Sequence, residues 1–215
     1  MMRDLTFLLT FRLKDIAISY NGGKDCLVML VLILSAIYTT FFKDRELDRD
    51  LKCHENHKLD SIYVSQELPF QELSDFIERS AKHYHLNQVV IRASLRDGFE
   101  QYLTSINPEI KCIIVGIRYT DPYGSLLKYE QMTDGNWPRF LRIHPILHWK
   151  YDEIWEFLLS SGLEYCKMYD DGYTSLGGSA NTERNPYLQK KGSDEYYPAY
   201  MLTDNADMKE RSGRR

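Results

Sequence analysis

Ser19-Tyr20-Asn21-Gly22-Gly23-Lys24-Asp25-Cys26 lies between an apolar, strand-like run that begins at Ile16 and a nearly unbroken apolar, helix-like run that reaches Phe42. Strand, tight turn and helix in that order aim the start of the helix at the turn. The first backbone N–H groups of a helix have no intrahelical partner, and the helix dipole adds partial positive charge there, so the place favours an anion. Two adjacent glycines let the backbone approach that anion closely. A phosphate carried by a nucleotide is the ligand this pattern predicts.

Two familiar phosphate loops are excluded. A Walker A loop has Gly-x-x-x-x-Gly-Lys followed by Ser or Thr, whereas Asp25 follows Gly23-Lys24 and Ile18 stands where the upstream glycine is required. No Gly-x-Gly-x-x-Gly fingerprint follows any strand-like run.

Onward from the loop, strand-like and helical patterns alternate. Ser61 to Val64 is β-rich; Phe70, Leu73, Ile77 and Ala81 recur at helical spacing behind Pro69; Gln88 to Ile91 is strand-like, Asp97 to Ser105 helical and Cys112 to Val115 strand-like. That alternation predicts an α/β fold, a mostly parallel sheet with helices on both faces. From about residue 116 the rhythm gives way to a Gly-, Pro- and aromatic-rich stretch, then a strand over Phe140 to Ile143 and a helix marked by Tyr151, Ile154, Trp155 and Leu158 and ended by Gly162. Loops leaving the carboxyl ends of parallel strands carry sites, so a second substrate is expected there. The layout predicts one domain over residues 1–202 and a polar C-terminal arm over residues 203–215, by default solvated.

Composition narrows the function classes. With 215 residues and 43% hydrophobic content the chain can bury a sizeable core. A net charge of -4 with both signs interspersed argues against nucleic acid as a partner. Cys26, Cys53, Cys112 and Cys166 show no zinc-like spacing and read as reduced cytoplasmic thiols, and the loop holding Cys53, His54 and His57 reads as solvated. The apolar run from Cys26 to Phe42 is shorter than the ~20 residues of a membrane span and reads as a core helix, so no membrane partner is expected. The start of the chain has no secretory pattern.

The loop resembles the PP-loop of the ATP pyrophosphatase superfamily, Ser-x-Gly-Gly-x-Asp-Ser, from which Asn21 and Cys26 depart. As it stands, Asn21 to Cys26 is similar to the FAD synthase (FMN adenylyltransferase) family, related to PAPS reductases. Three further segments agree: Gly116-Ile117-Arg118-Tyr119-Thr120-Asp121-Pro122; Asn136-Trp137-Pro138 with Arg142-Ile143-His144-Pro145-Ile146; and Tyr173-Thr174-Ser175-Leu176-Gly177 with Asn185-Pro186. The resemblance runs from about Ile16 to about Tyr187. It implies an adenine nucleotide alpha hydrolase-like fold and attack of the FMN phosphate on the α-phosphorus of ATP, giving FAD and pyrophosphate with help from Mg²⁺. FAD would then pass to apo-flavoproteins. Because the nucleophile is already anionic, such a site needs positioning and charge neutralisation more than a general base.

The same resemblance assigns residues. Ser19, Asn21, Gly22, Gly23, Lys24 and Asp25 would hold ATP, with Asn21 and Asp25 catalytic and Asp25 organising Mg²⁺. Plainer roles stand beside these: an exposed loop lysine for Lys24, local turn bonding for Asn21, first-turn helix stabilisation for Asp25. Arg118, Asp121, Trp137, Arg142, Ser175 and Arg184 would meet FMN, with Asp121 accepting from the flavin imide. Against that, Asp121 before Pro122 suits a turn, Trp137 beside Pro138 suits a packed loop anchor and Arg142 can lie along the surface. Arg211 and Arg214 of the arm would cover the site and act in catalysis. His144 and His148, separated by Pro145, do not share a metal-binding helix face.

Two rivals remain at this level. A PAPS-reductase-like sulfur enzyme would carry a C-terminal Glu-Cys-Gly-type motif, and no cysteine follows Cys166. A non-catalytic nucleotide- or flavin-binding regulatory module would bind without turnover.

Overall fold

The computed structural model describes residues 11–41 and 58–215. Residue Phe42, the chain start to residue 10 and the loop with Cys53, His54 and His57 lie outside them. Eleven elements build the scaffold: β1 (Ile16–Ser19), α1 (Lys24–Phe41), β2 (Leu59–Val64), α2 (Gln71–His83), β3 (Leu86–Ile91), α3 (Leu95–Gln101), β4 (Cys112–Val115), β5 (Glu130–Met132), β6 (Leu141–Ile143), α4 (Tyr151–Ser160) and α5 (Ala206–Lys209). The strands form one sheet in the order β3-β2-β1-β4-β6-β5, parallel throughout except for β5.

Strand periodicity explains the two faces. On β1 and β4, Ile16, Ile18, Cys112 and Ile114 turn to a core shared with α1, α2 and α4, while Ala17 and Ile113 turn to a second core with Phe99 of α3 and Tyr102. Helix α1 is the central one: Leu27, Val28, Met29, Leu30 and Ile33 are fully buried. Burial all around its circumference accounts for its continuous apolar run. Among the described residues, no helix is long and apolar enough to cross a membrane. The helix expected over Asp97 to Ser105 is realised as α3, capped by Ser94 Oγ accepting from Asp97 N at 3.2 Å, followed by a π-helical turn over Tyr102–Ile106.

Chain order reverses at β1: β2 and β3 extend the sheet on one side, β4 and β6 on the other. The carboxyl ends of β1 and β4 therefore flank a crevice, and they are the ends that release the Ser19–Cys26 loop and the loop from Gly116. Strand β5 adds an antiparallel edge, paired Gln131 to Arg142, through a hairpin in which Thr133 N donates to Phe140 O at 3.0 Å.

His144, just beyond β6, is fully buried; its Nδ1 lies 2.7 Å from the Lys128 carbonyl, so Nδ1 carries the proton, and Nε2 has no partner among the described residues. A second ring proton would be buried without an acceptor, and burial holds the pKa below the ordinary 6.5. The unfolded chain then takes up the proton first as pH falls, so stability is full above about pH 6.5 and declines below it. Thermal melts at about pH 7.5 and about pH 5.5 should show that decline, and His144→Asn should shrink it. An identical acid loss in the variant would assign the effect elsewhere. The other histidine of the segment, His148, packs between the rings of Tyr119 and Tyr129 at 5.7 and 5.1 Å.

Candidate active site

Gly22 sets the shape of the loop. It adopts φ +74°, and a Cβ there would fall 2.6 Å from Ile77 Cγ1 of α2. The turn is thus pressed against α2, and only glycine satisfies both the left-handed backbone and the contact. Gly22→Ala should cost about 1–3 kcal/mol, read from urea midpoints, with nucleotide binding weakened in parallel; an unchanged midpoint would contradict this geometry. Asn21 folds the turn from within, its Oδ1 accepting from Gly23 N at 2.9 Å, and Tyr169 Oη accepts from Lys24 N at 2.9 Å. Two donors expected to face phosphate are therefore occupied by protein groups. The Asn21 amide faces the Cys26 thiol, and among the described residues no hydrogen bond is drawn from the Gly22 N–H.

The side chains of Lys24 and Asp25 correct the sequence reading. Lys24 is 1% exposed, and its Nζ contacts Asp25 Oδ2 at 2.9 Å and Glu210 Oε1. Arg118 is fully buried; its Nε meets Asp25 Oδ1 at 2.7 Å as an ion contact outside hydrogen-bond geometry, Nη1 donates to Asp207 Oδ1 at 2.8 Å, and Nη2 donates to Glu210 Oε2. Lys24, Asp25, Arg118 and Glu210 thus form a closed ring of alternating charge. Burial pulls the Lys24 and Arg118 cations down, but Asp25 and Glu210 overcome it and leave both pKa values above their ordinary range. Burial likewise pushes Asp25 up, and the two cations bring it below the usual carboxylate range. Burial pushes the Glu210 carboxyl up, against the pull of Lys24 and Arg118.

This ring takes Lys24 and Arg118 out of the set of free phosphate or flavin contacts. It also takes Asp25 out of the metal role: both its oxygens face cations, and among the described residues no group of three or more His, Cys, Asp or Glu could hold a metal. The protein donors do not fit a magnesium site of their own.

Unneutralised cations come instead from the arm. The segment expected to be solvated is folded against the site, as α5 and a 3₁₀ turn over Glu210–Gly213. Thr174 Oγ1 donates to Glu210 O at 2.5 Å, Asn185 Nδ2 to Lys209 O at 2.8 Å, and Glu183 N to Gly213 O at 2.7 Å. Arg214 forms a bridge with Thr182, and its guanidinium packs so closely on Gly177 that a Cβ there would fall 1.9 Å from Nη1. Among the described residues Arg214 has no carboxylate partner, and its Nε is buried without a hydrogen bond. Burial and then neighbouring Arg211 lower its pKa, against the weaker pull of Glu67, with Tyr169 also within its electrostatic reach. Arg211 is exposed, its Nη1 4.0 Å from Asp121 Oδ1.

The remaining candidates are placed as follows. Asp121 closes a turn, its Oδ2 accepting from Arg118 N at 2.9 Å, which leaves Oδ1 toward Arg211. Ser175 is half-buried between Thr174 and Gly177. Trp137 packs on Phe99 with ring centroids 6.3 Å apart. Arg142 reaches toward Asp134 at 3.8 Å. Arg184 is exposed and lies over the rings of Tyr173 and Tyr196 at 5.8 and 5.3 Å. No described hydrogen bond or ion pair joins these last three to the loop. Asp207, Glu210 and Tyr169 were missed, since no spacing signal links Glu210 to a lysine 186 residues away.

A glycine loop, a crevice at the sheet's switch point and two neighbouring arginines come together here, and known proteins share this frame. The phosphoadenosine phosphosulfate reductase domain family matches residues 15–184. The probable FAD synthase of Schizosaccharomyces pombe is 38% identical over 205 residues, covering 95% of this chain and 73% of that protein. The chain belongs to the FAD synthase family. The flavin adenine dinucleotide synthase of Saccharomyces cerevisiae is also 38% identical, over 189 residues, 84% of this chain; the match spans 61% of that relative's length. Among solved FAD synthase family structures, Candida glabrata FMN adenylyltransferase in complex with FMN and the ATP analogue AMPCPP superimposes with a TM-score of 0.81 at 32% identity, covering 94% of this chain and 81% of that one.

Proposed function

We propose that this chain is an FMN adenylyltransferase: the FMN phosphate attacks the α-phosphorus of ATP, the bond from that phosphorus to the bridging oxygen breaks, and FAD and pyrophosphate form. The observation that carries the reading is the Arg211 and Arg214 pair, two neighbouring cations of which Arg214 keeps a buried Nε without a hydrogen bond and has only Glu67, at longer range than an ion pair, as a carboxylate neighbour, beside a glycine turn with an open Gly22 amide. A triphosphate supplies the missing negative charge. The C. glabrata relative binds FMN with an ATP analogue in one complex, and FAD with inorganic pyrophosphate in a second.

In this reading Ser19, Asn21, Gly22 and Gly23 shape the turn that receives the phosphates, with the Gly22 amide as a donor. Arg211 and Arg214 neutralise the charge that grows on the departing pyrophosphate. Lys24, Asp25 and Arg118 act one step removed, by holding the loop and the arm together. Asp121 and Ser175 border the flavin side. Mg²⁺ would enter with the triphosphate rather than on protein ligands, because the carboxylates here, Asp25, Asp121, Asp207 and Glu210, already face Lys24, Arg118 or Arg211. FAD leaves to apo-flavoproteins of the cytoplasm, the compartment in which the free thiols Cys26, Cys112 and Cys166 stay reduced.

The test is incubation of the purified chain with FMN, ATP and Mg²⁺, following FAD and pyrophosphate together. Equal amounts of both are expected. Reduction of PAPS with thioredoxin, or tight binding of FMN and ATP with no product, would overturn the reading.

A further inference from the structure

Three buried charges and the half-buried Asp25 close into a ring, but only one of the four, Glu210, belongs to the segment that carries Arg211 and Arg214. Glu210 is 4% exposed and immediately precedes Arg211, and its carboxylate touches both Lys24 at the start of α1 and Arg118 at the end of β4. Its carbonyl is held by Thr174. The turn over Glu210–Gly213 turns Glu210 inward, and Arg214, just beyond it in extended backbone, donates its N–H to Arg211 O at 2.9 Å, which keeps the two arginines neighbours. The two arginines repel each other; of the segment's other ion pairs, Arg215 meets Glu183 and Arg211 meets Asp121, while Asp207 binds Arg118 and the Tyr151 amide at 2.9 Å, and none of them reaches Lys24.

We infer that Glu210 is a positioning residue for adenylyl transfer, fixing the arm to the phosphate loop so that Arg211 and Arg214 stand at the leaving pyrophosphate. The inference rests on the adenylyltransferase reading above. It gives Lys24 and Arg118 a definite job as well: they are the sockets for Glu210 rather than ligands of substrate.

Glu210→Gln keeps the shape and the Asp207 anchor and removes the charge. In steady-state FAD formation it should lower kcat by roughly 10- to 100-fold, the scale of a misplacement near 1 Å, while KM for FMN and ATP stays within about threefold. Added to the Arg211→Ala/Arg214→Ala double variant it should cause no further loss, because a residue that acts through those arginines is silent without them. Hydrogen exchange should rise at amides 209–215 and stay unchanged in α1. An unaltered kcat, an equal loss with and without the arginines, or faster exchange spread over α1 and the arm alike would overturn the inference. If the wild-type chain makes no FAD, the functional reading fails by itself, and the exchange result alone decides whether Glu210 holds the arm.

Discussion

Arg214→Ala should lower kcat for FAD formation by roughly 100- to 1000-fold, the range seen when one group that stabilises developing negative charge is removed. Its melting temperature should stay within about 2 °C of wild type, a shift below ~1 kcal/mol for a chain this size. The asymmetry follows from the surroundings. Arg214 is partly buried against Gly177 with an unpaired Nε and a like-charged neighbour, so the fold gains little from its charge. A group that stabilises the folded state this poorly needs another use. Gly177→Ala supplies the control, since its Cβ would sit where Arg214 Nη1 now lies. It should reduce kcat in the same direction while keeping every charge. A strongly destabilised Arg214→Ala with normal kcat per folded molecule would make Arg214 a structural residue.

The opposite pattern is expected for Arg118→Met. Arg118 is fully buried and serves three carboxylates, Asp25, Asp207 and Glu210. Removing the one cation that meets all three leaves buried negative charge with Lys24 alone to offset it at Asp25 and Glu210. Loss of one partner from a buried ionic cluster costs about 3–5 kcal/mol, equivalent to roughly 10 °C or more in melting temperature here. Arg118→Lys should recover only a small part, because an ammonium cannot present a planar fork to three acceptors. Urea unfolding at unchanged slope checks the result. A melting temperature within about 2 °C of wild type would mean that the ring is not closed in solution.

How far the sequence reached differs between fold and site for a physical reason. Ile16 to Ser19 and Cys112 to Val115 are legible to the residue because strands buried on both faces must be apolar throughout. Strand β5 was not legible: Glu130, Gln131 and Met132 form an exposed-edge ladder held by pairing to β6, with no pattern of its own. The phosphate turn was visible because glycine there is a local backbone requirement. The ring was hidden because its charges come from widely separated places in the chain, and Lys24 and Arg118 look alike in sequence whether they meet a ligand or a carboxylate. Arg211 and Arg214 enter by resemblance alone, because a polar tail gives no spacing signal of its own; the fold docks that tail and makes the two arginines neighbours. Trp137, Arg142 and Arg184 show the converse, residues of suitable chemistry whose neighbours are Phe99, Asp134 and two tyrosines.

The central claim is that the turn after β1 and the docked arm hold a triphosphate open to attack at its innermost phosphorus by a flavin-borne phosphate oxygen. It is tested most directly by FMN carrying a heavy-oxygen label in the three terminal oxygens of its phosphate, with phosphorus NMR of both products after turnover. All of the label should appear in FAD, including the oxygen that bridges its two phosphorus atoms, and none in pyrophosphate. Label in pyrophosphate, or FAD whose bridge is unlabelled, would show that another bond is broken and would contradict the account.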